Sequence, residues 1–270
     1  MFRVIKIPFD KCVVEKERRG ASFAPDQIEK ELKNFFEFDS LSKNIQFETI
    51  KELDDFELMQ KEIEKCASDA YEKKEFVLGL GGDHSVSYGL VNAFAKKFSK
   101  KSGLIWFDAH FDCQDDFFPP THEDVLRAII KANFFRKNKS IHSILHIGAR
   151  NYTDAEKRFV FNKIAFDLAE NFYTSATFNN VIKHIKEFAK PLNAIYLSID
   201  IDVLDPAFAP GTGWPEPAGL LPQQLLLILE HLKATKKVKG LDIVEVCPPK
   251  DFQNQTSRLA AKIALNFLKS

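Results

Sequence analysis

Two short stretches of the chain crowd acids and histidines together in a way that folding alone does not reward. In "WFDAHFDCQD" (106–115), Asp108, His110 and Asp112 alternate directly behind an apolar run that reads as a buried strand. In "SIDIDVLDP" (198–206), Asp200 and Asp202 do the same behind another. Buried carboxylates are costly to desolvate and repel one another, so collecting them at strand ends calls for a compensating positive charge. Side chains two apart share one face of a strand, and each pair is therefore expected to converge on one ion. A third apolar run ends in "LGLGGDHSVSYG" (78–89), where His84 follows a glycine turn. The predicted metal ligands are His84, Asp108, His110, Asp112, Asp200 and Asp202. Four carboxylates match the charge of two divalent cations. An oxygen-rich set with some imidazole and no thiolate suits Mn²⁺ best, with Co²⁺, Ni²⁺ or Zn²⁺ able to replace it. Two Mn²⁺ per chain are expected.

Simpler explanations exist for each stretch alone. A glycine turn such as GGDH can cradle a phosphate, but no Gly-Lys-Ser/Thr follows it here. A single DxD is more often a turn or a helix cap than a ligand pair, and Asp83 and Asp205, which precedes Pro206, are read in that way. The metal reading rests on three such clusters falling at three strand ends.

The elements that must position them alternate along the chain. Strands are predicted at 2–9, 75–81, 103–110, 143–149, 194–202 and 238–246, and helices near 24–36, 55–73, 86–98, 122–133, 178–189, 222–234 and 255–268. This alternation predicts a parallel sheet covered by helices. Several strands are apolar until their carboxyl ends, where polar residues appear, and that edge of an open α/β sheet is where ligands bind. Glycine is sparse, 11 in 270 residues, yet Gly79, Gly81, Gly82 and Gly89 fall in one stretch and Gly211, Gly213 and Gly219 in another, marking the working loops.

Composition narrows the functional classes. With 45% hydrophobic residues in 270 the chain is placed among soluble globular proteins, long enough for one large α/β domain or two small ones. Basic and acidic residues balance at 38 each, which leaves no electrostatic footprint for nucleic acid. "MFRVIKIPFDKC" is interrupted by Arg3 and Lys6, so it reads as a first strand rather than a signal peptide, and no apolar run approaches membrane-spanning length. Cys12, Cys66, Cys113 and Cys247 are scattered without a CxxC pair, which argues against disulfides and a thiolate zinc site and for a cytoplasmic location.

Four segments carry a family resemblance. "GGDHS" (81–85), "DAHFD" (108–112), "SIDIDVLDPAFAPGTGWPEPAGL" (198–220) and "GLDIVEVCPPKD" (240–251) resemble, in order, the signature segments of the arginase/agmatinase ureohydrolases. The likeness extends from "RGASFAPDQI" (19–28) to "SRLAAKIALNFL" (257–268), and the "LDPAFAPGTGWPEP" loop and "EVCPPKD" are more similar to agmatinases than to arginases. The resemblance implies a single catalytic domain over 1–270 folded as a three-layer α/β/α sandwich with a mainly parallel sheet, homo-oligomers (trimers or hexamers), and hydrolysis of a guanidino or amidino C–N bond at a dimanganese centre. It also implies that His84 and Asp112 serve one ion, His110 and Asp202 the other, and that Asp108 and Asp200 bridge them.

The resemblance implies two further roles. His122, in "PPTHEDVLRAI" (119–129), matches the histidine that carries a proton to the leaving amine, the competing role being a cap on the helix that follows. Glu245 matches the glutamate that pairs with the substrate guanidinium, the competing role being a buried ion pair with lysine or arginine. His142, His146, His184 and His231 lie outside the motifs. The chain departs from the family's pattern at Glu123, which replaces a usual glycine, and at Phe111, Lys250 and Phe252, which are expected to alter the walls of the pocket. In the loop "CQDDFFPPT" (113–121), Asp115 and Asp116 are expected to attract a cationic amine and Phe117 or Phe118 to line an aliphatic chain, the competing role of the two acids being a simply solvated one. These features predict a small cationic guanidino substrate, agmatine, hydrolysed to putrescine and urea. The alternatives are another ureohydrolase (arginase, guanidinobutyrase or formimidoylglutamase), a single-zinc deacetylase-type hydrolase, and a non-catalytic metal-binding paralogue.

Overall fold

The apolar runs that read as buried strands form the middle of one sheet. The computed structural model describes residues 1–98, 100–132, 134 and 143–269. Among these are strands β1 (Phe2–Lys6), β2 (Ile45–Thr49), β3 (Phe76–Leu80), β4 (Ser102–Phe107), β5 (Ile144–Ile147), β6 (Ala165–Asp167), β7 (Ala194–Asp200) and β8 (Val238–Val244). They are ordered β2-β1-β3-β8-β7-β4-β5-β6 across the sheet. Every pairing between these strands is parallel, so the expected mainly parallel sheet is wholly parallel. β4 and β7 are buried at every position, as strands covered on both faces must be.

The helices are α1 (Ala24–Lys33), α2 (Phe38–Leu41), α3 (Phe56–Glu72), α4 (Ser87–Lys97), α5 (Val125–Ala132), α6 (Asp154–Val160), α7 (Ser175–Ala189), α8 (Pro222–Ala234) and α9 (Gln255–Leu268). The pleat sorts the strand side chains into two layers of core. Ile105 and Phe107 of β4 join Ile28 of α1, Ile185 of α7, Ile228 of α8 and Ile263 of α9. Leu104 and Trp106 join Met59 of α3, Leu90 of α4, Leu126 of α5 and Val160 of α6 on the opposite face. This is the three-layer α/β/α sandwich. Among the described residues no helix is long and apolar enough to cross a membrane.

Two strands and two helices escape the sequence pattern. β2 and β6 are the edges of the sheet, and β2 is at most half-buried, so neither shows the continuous apolar run of the inner strands. α2 is a single turn. α6 carries a legible signal, the capping box in which Thr153 and Glu156 satisfy each other's backbone N–H groups. The predicted strand 103–110 stops at Phe107, and 194–202 stops at Asp200, because a side chain takes over from the ladder at each point. Asp108 accepts the His110 N–H at 2.7 Å and Asp200 accepts the Asp202 N–H at 2.8 Å, closing tight turns at the sheet edge.

The glycine turn after β3 is set by close packing. A Cβ on Gly82 would lie 1.8 Å from the carbonyl oxygen of Phe9, so only glycine lets the two backbone segments pass. Asp83 then accepts hydrogen bonds from Cys12 N and Ser85 N, at 2.9 and 3.0 Å, and fixes where His84 begins.

Candidate metal centre and cleft

β3, β8, β7 and β4 are consecutive in the sheet, and the segments leaving their carboxyl ends carry all eight predicted site residues except His122, which precedes α5. His84 Nδ1 lies 3.1 Å from Asp108 Oδ2, 3.0 Å from Asp112 Oδ2 and 3.2 Å from Asp200 Oδ2. His110 Nδ1 lies 3.1 Å from Asp202 Oδ2 and 3.5 Å from Asp108 Oδ1. Two compact donor groups result, His84 with Asp108 and Asp200, and His110 with Asp108 and Asp202. Asp108 belongs to both. Asp200 and Asp202 sit on a turn, Asp200 in the first donor group and Asp202 in the second.

Hydrogen bonding fixes which atoms are available as ligands. His84 Nε2 is 2.9 Å from Ser198 Oγ, which donates to Asp242 Oδ1 at 2.8 Å. Ser87 Oγ and Tyr196 Oη also donate to Asp242, at 3.1 and 2.8 Å. With the Ser198 hydroxyl proton committed to Asp242, the serine oxygen accepts from His84 Nε2–H, and the Nδ1 lone pair faces the carboxylates. The indole of Trp106 stacks on the ring at 4.1 Å and donates from Nε1 to Asp108 at 3.0 Å. His84 Nδ1 and Asp112 Oδ2 are both buried with no hydrogen-bond partner. A lone pair aimed at three carboxylate oxygens is repulsive unless a cation lies between them, so the donor set fits divalent metal.

The protein's own charges carry the same strain. Burial opposes protonation of His84, but Asp108, Asp112 and Asp200 override it and hold its pKa well above the ordinary value. Burial likewise opposes protonation of His110, and Asp202, Asp108 and Glu216 override it. Asp112 is pushed well up by burial and by Asp108, and Asp200 by burial, Asp202 and Asp108. Burial works against ionisation of Asp108 too, yet the two histidines beside it hold it well below the usual range. A cluster that raises its histidines and two of its acids together is short of positive charge.

Asp112 and Glu245 hold left-handed backbone conformations, φ 48° and 62°, which side chains other than glycine rarely adopt. Glu245 Oε1 accepts the His84 N–H at 2.8 Å and lies 3.5 Å from His122 Nδ1. Among the described residues no lysine or arginine pairs with it, so the ion-pair alternative for Glu245 finds no partner. His122 Nε2 receives the Val14 N–H at 3.3 Å, and its ring makes no hydrogen bond to α5, leaving the helix-cap alternative without support. Burial lowers the His122 pKa, but Glu245, Asp83 and Asp112 outweigh it and raise the imidazole to about 9.

A cleft of about 200 Å³ opens over these groups, walled by Gln114, Glu123, Asn151, Tyr152, Thr212 and Trp214 among others. The expectations for the 113–121 loop fail here. The Asp115 side chain is 97% exposed and sits 3.4 Å from Arg127 Nη1, while Asp116 pairs with Arg127 and Lys131. Both acids are neutralised by α5 and lie outside the cleft lining, as do Phe117 and the exposed Phe118. Three of the four departures from the family pattern also leave the walls unchanged. Phe111 is fully buried against His146, Tyr152 and Phe166, and neither Lys250 nor the exposed Phe252 borders the cleft.

Several supporting residues escaped the sequence reading. Ser198 and Asp242 are buried strand residues whose polarity was the available signal. Glu216 Oε1 is 3.4 Å from His110 Nε2 and accepts from Asn151 Nδ2 at 2.6 Å, orienting the second imidazole from a loop. His146 supports the same residue from below, its Nε2 2.6 Å from the His110 carbonyl. His142 lies outside the described residues.

The Arginase family model matches residues 1–269. The formimidoylglutamase of Halalkalibacterium halodurans is 30% identical over 99% of this chain and 86% of its own length. The agmatinase of Bacillus subtilis is 32% identical over 76% of this chain and 67% of its own length. The crystal structure of agmatine ureohydrolase of Thermoplasma volcanium superposes with a TM-score of 0.83 at 28% identity, covering 99% of this chain and 88% of that one.

Proposed function

The chain belongs to the arginase family, and from that membership and the geometry of the cleft we propose that it hydrolyses a guanidino C–N bond, taking agmatine to putrescine and urea. In this reading His84 and Asp112 serve one Mn²⁺, His110 and Asp202 the other, and Asp108 and Asp200 are shared. The ion pair, when bound, supplies the charge that makes water acidic enough to attack a guanidinium at neutral pH.

The protein's own groups do the rest. Glu245, with Oε1 already tied to the His84 N–H, presents a fixed planar carboxylate to a guanidinium, which stays protonated and offers parallel N–H donors. His122 holds its proton on the side facing Glu245, where the leaving amine needs it. The competing Val14 contact on Nε2 is long, so carrying a second proton on the ring displaces little.

The observation that carries the choice of substrate is the charge of the cleft. Glutamates and aspartates line it, and among the described residues no lysine or arginine does, so it favours a cationic tail and offers nothing to a carboxylate. A second reading, a carboxylate-tailed substrate, is favoured by Arg18, whose guanidinium lies 3.4 Å over the ring of the cleft residue Trp214. Glu15 engages that guanidinium at 2.5 Å, which weakens its claim on a substrate.

A hydrolysis assay on Mn²⁺-loaded protein with agmatine, arginine, 4-guanidinobutyrate and formiminoglutamate tests both readings. Agmatine should exceed arginine in kcat/KM by at least about tenfold, or roughly 1.4 kcal/mol of transition-state discrimination. Preference for a carboxylate-bearing substrate would overturn agmatine. Activity that survives both chelation and Asp200→Asn would overturn the metal mechanism.

A further inference from the structure

Of the four positions at which the chain departs from the family's pattern, Glu123 alone lines the cleft. The remaining acids there have structural or ligand tasks. Glu156 is consumed by Thr153 N and Oγ at 2.9 and 3.0 Å and by Cys113 N at 3.3 Å. Glu245 is anchored to His84, Asp200 and Asp202 belong to the two donor groups, and Asp112 lies against His84. Glu123 has as its nearest cationic neighbour His122 Nε2 at 4.0 Å, and among the described residues no lysine or arginine pairs with it. Its side chain retains 29% exposure, so it meets the cleft without paying for full burial.

We infer that Glu123 is a specificity-determining residue that receives the distal ammonium of the substrate. This rests on the agmatine reading above. The geometry carries it: the Glu245 and Glu123 carboxylates flank opposite nitrogens of one imidazole, His122, at 3.5 and 4.0 Å. A guanidinium on Glu245 therefore leaves the far end of a four-carbon chain within reach of Glu123, on the same side of the cleft as the proton donor. An unpaired carboxylate in a partly desolvated wall attracts an ammonium and repels a carboxylate, so one residue both selects and excludes.

The test is a ratio. For wild type, Glu123→Gln and Glu123→Asp, all Mn²⁺-loaded, kcat/KM is measured with agmatine and with n-butylguanidine, which has the same chain without the amine. Because Glu123 adjoins His122, any disturbance of proton transfer affects both substrates and cancels in the ratio. Wild type should favour agmatine by at least about tenfold. The preference should collapse by a similar factor in Glu123→Gln and return in large part in Glu123→Asp. A wild-type preference that persists in Glu123→Gln would overturn the role of Glu123 and leave the agmatine reading intact. A wild-type ratio near one would overturn both.

Discussion

Replacing Ser198 by alanine removes one hydroxyl from a chain of three buried groups, and the consequence can be worked through. His84 Nε2, Ser198 Oγ and Asp242 Oδ1 are linked by steps of 2.9 and 2.8 Å, and all three residues are at most 1% exposed. Without the hydroxyl, His84 Nε2–H faces no acceptor, a penalty of about 1–3 kcal/mol for a buried donor. The ring can escape it only by moving its proton to Nδ1, the atom directed at the carboxylates, or by rotating away from them. Either change is charged against metal binding at the His84 group, and support of this kind to a ligating histidine is typically worth about 10- to 100-fold in affinity. The His110 group, oriented by Glu216 and Asn151, should keep its affinity. Asp242 retains Ser87 and Tyr196, so the metal-free variant should remain folded. Titration of metal-free protein with Mn²⁺ against a competing chelator should show one weakened phase beside one unchanged phase, with Ser198→Thr restoring the first. Two unchanged phases would refute the assignment of Nδ1 as the ligand atom.

Two other outcomes follow from the same geometry. His122→Ala should lower kcat by about a hundredfold or more with metal content unaltered, measured by steady-state urea release and metal analysis, whereas an unchanged kcat would leave His122 a structural role between Val14 and Glu245. Away from the centre, His184 Nδ1 lies 2.7 Å from Asp167 Oδ2, and that bond raises the histidine pKa. A raised folded-state pKa means that the stabilisation is complete below the unfolded value, about 6.5, and is lost as pH rises through the folded one. The site is more than a third exposed, so His184→Gln should cost only about 0.5 kcal/mol at pH 5.5 and nearly nothing at pH 9, read from urea midpoints. A cost that grows with pH would reverse the argument.

What the residues declared in advance was chemistry at strand ends. All six predicted ligands come together because burial on both faces makes the inner strands continuous apolar runs, and the polar residues at their ends stand out against them. Direction off the strands was not legible. Asp115 and Asp116 looked like substrate contacts, but Arg127 and Lys131, one helical turn apart on α5, claim them, and the i, i+4 spacing of the two cations after the loop was the available signal. Phe111 looked like a pocket wall because it sits between two ligands, yet the Asp108 turn sends it into the core. Edge strands β2 and β6 gave too little apolar periodicity to register.

The position of β8 bears on how the protein reaches its native state. β8 is the last strand in the chain, yet it lies between β3 and β7, two of the strands whose ends supply metal ligands. His84, at the end of β3, cannot be brought against the donors of 108–112 and 200–202 until this late segment has inserted into the centre of the sheet, whereas β4 and β7 pair directly. Loop closure on that scale precedes any reward from the contacts it makes, which makes the step slow. Metal capture by the His84 group is then a final event of folding rather than its nucleus. Bound ions should slow unfolding while leaving the refolding rate nearly unchanged, so that the centre acts as a latch on a sheet already assembled.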